Sequence, residues 1–135
     1  MSTVIPEAFY DLLDGPVVVM LATLMPDGQP QVTPVWCDRH GDMVWVNSAV
    51  GRQKDINMKE RPQVTIGVLD PQNAYRYLEI RGRVVETVEG AVAHEHIEAL
   101  SQVYFGRAYK YGSPNEQRCI YKIEPTRVRG NPTPS

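Results

Sequence analysis

Short segments rich in apolar and β-branched residues alternate with turn sequences along most of the chain. Residues 15–24, GPVVVMLATL, are apolar at nearly every position, which is typical of a strand covered on both faces. Turn chemistry follows at Pro26-Asp27-Gly28. Further strand-like segments occupy 31–38, 43–47, 63–70, 77–88 and 118–130. The pattern predicts about six antiparallel strands, most of them joined by hairpins.

Three segments have helical character, at 6–14, 48–60 and 89–104. Pro6 lies in the first turn of the first segment, and Pro62 ends the second. The third is the clearest, because apolar residues recur at helical spacing at Ala93, Ile97, Leu100 and Tyr104. The sequence therefore predicts one mainly β domain over 1–135, a small six-stranded antiparallel barrel, closed or partly closed, with flanking helices.

The charge and cysteine content narrow the classes of partner. The 135 residues carry a formal net charge of −2, so any anion site has to be a local cluster of cations, and nucleic-acid binding is disfavoured. Cys37 and Cys119 lack metal-ligand spacing and are expected to be free thiols in a reducing compartment. The first residues do not resemble a signal peptide, and the longest apolar run, 17–24, is too short to cross a bilayer. We expect a cytoplasmic protein without nucleic-acid or membrane partners.

The start of the second predicted helix is the most informative segment. Ser48 is a candidate N-cap, and Gly51, Arg52 and Lys54 follow where acidic residues are usual. Cations at the positive end of a helix are unfavourable unless an anion binds there, and a phosphate would satisfy them together with the free N–H groups. The alternative is a solvated basic helix end without a ligand.

The second strand contains a proline, Pro34, which removes one hydrogen bond from the ladder. An edge strand or a bulge explains this feature. A functional interpretation is that the ladder opens there, so that Gln31, Val32 and Thr33 face a planar heterocycle.

The loop 72–77 carries further candidates. Tyr75 or Tyr77 could pack against a ring, and Arg76 could bind a second anion. Tyrosines at the start of strands are often structural, so this alternative stays open.

Other kinds of site lack support in the sequence. His94 and His96 would lie about 200° apart around a helix and cannot bind one ion together, while His40 is predicted in a turn. No metal site is therefore predicted, and no Ser/His/Asp or Cys/His arrangement is evident. Trp36 and Trp45 are interpreted as core or dimer-interface residues.

Three segments in order carry a resemblance to a known family: LATLMPDGQPQVTPVW, VNSAVGRQKDINMKERPQVTIGVLDP and YRYLEIRGRV. The stretch from Val19 to Val84 resembles the pyridoxamine 5'-phosphate oxidase-like split barrels. It is most similar to the branch of flavin/deazaflavin oxidoreductases that use coenzyme F420. The C-terminal arginine- and histidine-bearing pattern of genuine pyridoxamine phosphate oxidases is not found, which argues against vitamin B6 oxidation.

The resemblance implies an obligate homodimer with cofactor sites at the subunit interface. It assigns the cofactor phosphate to Arg52 and Lys54, with Asn57 and Ser48 beside them. It places the ring along the second strand, and it gives Tyr75 a place in the site. The residues that the resemblance and the residue pattern together predict to bind the cofactor are Gln31, Val32, Thr33, Pro34, Ser48, Gly51, Arg52, Lys54, Asn57 and Tyr75.

The implied function is a coenzyme F420-dependent reductase that transfers hydride between the reduced deazaflavin and a small organic acceptor. One alternative is an FMN-binding oxidoreductase, and another is a non-catalytic F420 or tetrapyrrole carrier on the same fold. The acidic tail of F420 would favour nearby cations such as Lys59, Arg61 and Arg76. No catalytic residue is predicted, because the hydride chemistry belongs to the cofactor.

Overall fold

The computed structural model describes residues 3–133. A 3-10 turn, Glu7–Phe9, precedes three helices: α1 (Asp11–Asp14), α2 (Gln53–Glu60) and α3 (Ala91–Phe105). The strands are β1 (Val19–Leu24), β2 (Pro30–Val35), β3 (Cys37–His40), β4 (Met43–Ala49), β5 (Gln63–Asp70), β6 (Asn73–Glu89) and β7 (Arg118–Asn131).

All seven strands form one antiparallel sheet in the order β2-β1-β5-β6-β7-β4-β3. The two edge strands, β2 and β3, are consecutive in the chain and are separated only by Trp36. A single residue can join opposite edges only if the sheet curls, so the sheet forms a half-barrel with the helices at its sides. The prediction of a mainly β antiparallel fold is confirmed.

The predicted number of six strands is wrong, because segment 31–38 divides at Trp36 into β2 and β3. β2 pairs with β1, and β3 pairs with β4 on the other side of the sheet. The apolar pattern runs through the division without interruption, since both halves bury one face. Pro34 lies in edge strand β2, opposite Met20, which agrees with the edge-strand interpretation of that proline.

The helices differ from the predicted ones mainly at their ends. The segment 6–14 forms the 3-10 turn and α1 as two short pieces. The helix predicted from residue 48 begins at Gln53, because β4 continues to Ala49, which pairs with Arg118 of β7. The third helix is confirmed as α3, with Ala93, Ile97 and Leu100 buried.

The core fills the concave side of the sheet with alternate strand residues, while Phe9, Leu12 and Leu13 cover it from the N-terminal turns. β6 and β7 approach each other closely at a register shift beside Gly82. A Cβ atom at Gly82 would lie 2.6 Å from the carbonyl oxygen of Glu124, so glycine is required there. Within residues 3–133, no helix has the length and apolar character needed to span a membrane.

Candidate functional site

A cavity of about 360 Å³ lies where the two edges of the curled sheet meet. One side is built by the segment around Pro34 and Trp36, and the other by β4, β7 and the start of α2. Its lining residues are Val18, Pro34, Val35, Trp36, Asn47, Arg52, Lys54, Ile97, Tyr109, Tyr111 and Arg118. The cavity therefore combines apolar and aromatic walls with three cations, a composition typical of binding sites for flat anionic molecules.

The start of α2 supplies two of these cations. Arg52 is the N-cap residue and makes no side-chain capping bond, so the first N–H groups of the helix are not capped by it. Gly51, with φ of +96°, makes the turn that leads from β4 into the helix. The result is a short loop that brings an arginine, a lysine and a helix N-terminus to the same end of the cavity.

Lys54 is the cation of the cavity whose charge is least compensated by nearby carboxylates. Within residues 3–133, no carboxylate lies within ion-pair distance of its ammonium group. Partial burial, followed by the charges of Arg52 and Arg118, lowers the pKa of Lys54 below its ordinary value. The attraction of a bound anion would offset both the loss of hydration and the repulsion between the cations, so this position favours a negatively charged ligand.

The third cation, Arg118, is the first residue of β7 and is almost completely buried. Its Nη1 atom lies 3.2 Å from Glu116, and its Nε donates to Asn47 Oδ1 at 2.8 Å. The second oxygen of Glu116 pairs with Arg52 at 3.1 Å. One carboxylate thus connects both arginines of the cavity.

Aromatic side chains form the opposite wall. Trp36 stacks on Tyr104 with a centroid distance of 5.0 Å and contacts Tyr109 edge-on at 6.1 Å. Tyr109 in turn contacts Tyr111 at 6.0 Å. The loop 106–117 therefore contributes two aromatic rings to the cavity, and its Glu116 pairs with two of the cations that line it.

Asp55 anchors the start of α2 to the sheet. Its buried carboxylate accepts hydrogen bonds from the Gly51 N–H at 2.9 Å and the Tyr121 hydroxyl at 2.5 Å, and it pairs with Lys59 at 2.9 Å. Burial by itself would raise the pKa of Asp55, but these three donors outweigh burial and lower it. The expectation that the first turn lacks acidic residues is therefore wrong, since Asp55 lies in it and faces inward.

Several predicted site residues meet at the cavity. Arg52, Lys54 and Pro34 line it, and Gly51 makes the turn immediately before Arg52. These residues come from segments about 20 positions apart in sequence, and the closure of the sheet brings them together.

The other predicted residues of β2 do not line the cavity. Gln31 accepts from Asn57 within the chain, and Val32 is exposed on the outer face of the sheet. The Thr33 Oγ1 atom is buried without a hydrogen-bond partner among the described residues. Of the predicted group, Pro34 lines this cavity.

Ser48 and Asn57, both predicted to bind the cofactor, do not line the cavity. Ser48 is not the helix N-cap, because it lies within β4, opposite Cys119; its hydroxyl is buried without a partner among the described residues. Asn57 is fully buried, and its amide donates to Thr23 at 3.0 Å and accepts from Gln53 at 2.9 Å. Asn57 therefore joins α2 to β1 and does not face the cavity.

Tyr75 and the candidate cations for an acidic tail lie elsewhere. Tyr75 is 84% exposed near the tip of the β5–β6 hairpin and does not line the cavity. The three cations are already paired: Arg76 with Asp11 and Asp70, Lys59 with Asp55 and Glu89, and Arg61 with Glu60.

Several residues that line the cavity are not among those predicted from the sequence, above all Asn47, Tyr109, Tyr111 and Arg118. Tyr109 and Tyr111 lie in a loop of tyrosines and glycines, and this composition only weakly indicates that the loop covers a cavity. Arg118 carries a stronger one, because an arginine among the apolar residues that open a buried strand needs a buried counterion. Trp36, interpreted as a core or interface residue, lines the cavity.

A hydrogen-bond chain behind the cavity orients Arg118. Because a guanidinium group only donates, the oxygen of the Asn47 amide must face Arg118. The Asn47 Nδ2 group then donates to Ala93 O at 2.9 Å and to His96 Nδ1 at 3.0 Å. His96 consequently carries its proton on Nε2, which lies 2.8 Å from Asp38. These hydrogen bonds run from Asp38 through His96 and Asn47 to Arg118, and they hold the Arg118 side chain in one orientation.

The same chain includes a cluster with the appearance of a metal centre. Asp38, His40 and His96 place their ligand atoms within 4.8 Å of one another, while His94 is exposed on the other side of α3. A cation on His96 Nε2 would require the Asn47 amide to turn over and give up its bond to Arg118. These hydrogen bonds disfavour a metal and favour a role in orienting Arg118.

Apolar side chains are exposed on the convex face of the sheet beside the cavity. They are Val18, Met20, Val32, Pro34, Leu69 and Tyr77, which we call the outer apolar face. The strand register places Met20 between Pro34 and Gly67, so the side chains form one continuous surface. Continuous apolar surfaces of this kind mark interaction sites.

This combination of a curled antiparallel sheet and a cationic cavity at the split defines the class of protein. The family profile described as pyridoxamine 5'-phosphate oxidase matches residues 5–131. The chain belongs to this split-barrel family, in the branch that includes an F420 reductase.

The solved structure of that F420 reductase is 34% identical, covers 93% of this chain and 98% of its own, and superposes with a TM-score of 0.83. A conserved hypothetical protein from Mycobacterium tuberculosis is 25% identical, with coverages of 96% and 86% and a TM-score of 0.74. HupZ from Group A Streptococcus shares the fold, at 22% identity, coverages of 94% and 94% and a TM-score of 0.65. No curated protein matches the chain significantly.

Proposed function

We propose that this protein is an oxidoreductase that binds coenzyme F420 in the cavity and transfers hydride between the reduced deazaflavin and a small organic acceptor. The observation that carries the proposal is Lys54, a partly buried ammonium that shares the cavity with two arginines and has no carboxylate partner among residues 3–133. The family relation and the likeness to an F420 reductase support the same class of cofactor.

The residues of the cavity fit a flavin or deazaflavin. Arg52, Lys54 and the uncapped N–H groups of α2 would bind the phosphate. Trp36 and Pro34 provide a flat apolar surface for the ring system. FMN, which has a similar ring and a phosphate, fits the same residues and is the alternative cofactor.

When bound, the cofactor supplies the hydride chemistry. The chain contributes position and electrostatics. Trp36, Tyr109 and Tyr111 provide aromatic surface on the loop side of the cavity. Arg118, fixed by Asn47 and Glu116, gives the cavity a permanent positive charge. Such a site works through binding and electrostatics and needs no dedicated acid or base.

We also propose that the protein is a homodimer that associates through the outer apolar face. Val18 and Pro34 belong both to this face and to the cavity lining, so a second copy seated there would complete the cavity wall. Met20→Glu should convert the dimer to a monomer in sedimentation experiments, because it buries a charge at the contact. Val92→Glu, at an exposed position on α3, is the matched control and should leave the dimer intact. A wild-type monomer would contradict the dimer.

The binding site is tested by titration of the protein with F420 and FMN. Lys54→Ala and Arg52→Ala should each weaken binding by about 1–3 kcal/mol, the contribution of one charge-assisted contact. Lys110→Ala removes an exposed cation that does not line the cavity, and it should bind as the wild type does. Unchanged affinity in both site variants would place the phosphate elsewhere.

The choice of cofactor and the activity have separate tests. Tight binding of FMN without binding of F420 would identify FMN as the cofactor. Reduction of quinones, nitroaromatics or enones by reduced F420 in the presence of the protein would support the reductase. Binding without reduction of any acceptor would instead support a carrier.

A further inference from the structure

We infer that Glu116 determines the class of phosphate that the cavity accepts, favouring a phosphodiester, as in F420, over a phosphomonoester, as in FMN. The inference rests on the proposed function and deepens it. It starts from the fact that a carboxylate already occupies the space between two of the three cations of the site.

Glu116 contacts two of the cations that line the cavity. Its side chain is only 12% exposed, with Oε1 on Arg52 at 3.1 Å and Oε2 on Arg118 at 3.2 Å. Gly112 packs against the carboxylate so closely that a side chain at that position would collide with it. The two ion pairs therefore place the carboxylate beside the cavity.

The two ion pairs of Glu116 differ in how easily they can open. Arg118 is 3% exposed at its side chain and is also bonded to Asn47, so its pair with Glu116 is fixed. Arg52 is 48% exposed and has Glu116 as its carboxylate partner. Exposed pairs of this kind contribute little. Arg52 can therefore turn toward a ligand phosphate while Glu116 stays on Arg118.

The remaining carboxylate then acts on the ligand. Each negative charge on a bound phosphate is repelled by Glu116, so this repulsion is proportional to the charge of the phosphate group. A phosphomonoester carries close to two charges at neutral pH, whereas a phosphodiester carries one. Glu116 consequently disfavours a monoester about twice as strongly, in free energy, as a diester. At separations of several ångströms in a water-like dielectric the effect is about three-fold in affinity per charge.

The test compares each cofactor with an analogue that lacks its phosphate. FMN is paired with riboflavin, and F420 with its deazaflavin alcohol, which lacks the phosphate and the tail. Titrations use the wild type and Glu116→Gln, which keeps an oxygen that can accept from Arg118. Glu116→Gln should increase the affinity for FMN about ten-fold and the affinity for F420 about three-fold. It should leave the affinities for riboflavin and the deazaflavin alcohol unchanged. Glu116→Asp, which keeps the charge, should retain the preference of the wild type.

Glu86→Gln is the matched control, because it removes a carboxylate from an exposed pair with Lys122 that does not line the cavity. It should change none of the affinities. Thermal melts confirm folding; if Glu116→Gln does not fold, Glu116→Asn carries the same expectation.

Two results would overturn the inference: equal gains for FMN and F420, or gains for riboflavin as large as those for FMN. Lys54→Ala separates these results from failure of the binding site. If Lys54→Ala weakens both cofactors while Glu116→Gln leaves their ratio unchanged, only the role of Glu116 is refuted. If Lys54→Ala has no effect, the phosphate site itself is wrong.

Discussion

The Asp55 carboxylate offers a stringent test of how the start of α2 is held in place. It is 3% exposed and accepts from the Gly51 N–H through one oxygen, and from Tyr121 and Lys59 through the other. In Asp55→Asn one of these oxygens becomes an NH₂ group. Whichever way the amide turns, at least one donor of the site then faces another donor.

The structure sets the size of the effect. A hydrogen bond to a charged group contributes about 1.5–3 kcal/mol, and the amide can retain at best one side of the network. The pair with Lys59 contributes less than the others, because the lysine side chain is about one-third exposed. We expect Asp55→Asn to lower the free energy of unfolding by about 2–4 kcal/mol at pH 7.

The assay is urea unfolding followed by tryptophan fluorescence. Asp14→Asn is the control, since it removes an exposed carboxylate from its pair with Arg39 and should cost about 0–1 kcal/mol. The lowered pKa of Asp55 adds a second criterion. A carboxylate with a lowered native pKa stabilises the protein above the ordinary carboxyl pKa of about 4, and this stability is lost as the pH falls through the native value. The deficit of Asp55→Asn should therefore shrink as the pH falls below about 4. A deficit under about 0.5 kcal/mol at pH 7 would refute the reasoning.

Three further predictions concern the barrel itself. Gly82→Ala should cost about 2 kcal/mol or more in urea unfolding, because the added Cβ would lie 2.6 Å from Glu124 O; a neutral result would contradict the close approach of β6 and β7. Tyr104→Phe should cost about 1–2 kcal/mol, because the hydroxyl donates to Val17 O at 2.8 Å and accepts from the Cys37 N–H at 3.1 Å. Burial raises the pKa of the Cys37 thiol to about 12, so this thiol should react with an aromatic disulfide reagent at pH 8 only after unfolding; rapid labelling of the native protein would count against its burial.

Local sequence determined those features that depend on neighbouring residues. The clustering of Gly51, Arg52 and Lys54 before a helix is visible in the sequence, because a helix start imposes its own electrostatics within one turn. Most strands and α3 were predictable for the same reason, since alternation and helical spacing are local patterns. The position of Pro34 in an edge strand also followed from one residue, because proline lacks the ladder donor.

Features that depend on strand pairing were decided by the tertiary structure alone. The sequence around Trp36 reads as one strand, yet its two halves pair with opposite sides of the sheet. Because β4 stays paired with β7 as far as Ala49, Ser48 lies within the strand, and Arg52 is the N-cap of α2.

The same closure of the sheet completed the cavity. Arg118 and Glu116 lie more than 60 positions from Arg52 along the chain, and no local pattern connects them. Their contact forms because antiparallel pairing of β4 with β7 places the beginning of one strand beside the end of the other. Sequence patterns reflect the neighbours of each residue along the chain. The partners of a buried charge depend instead on which distant segments the fold brings together.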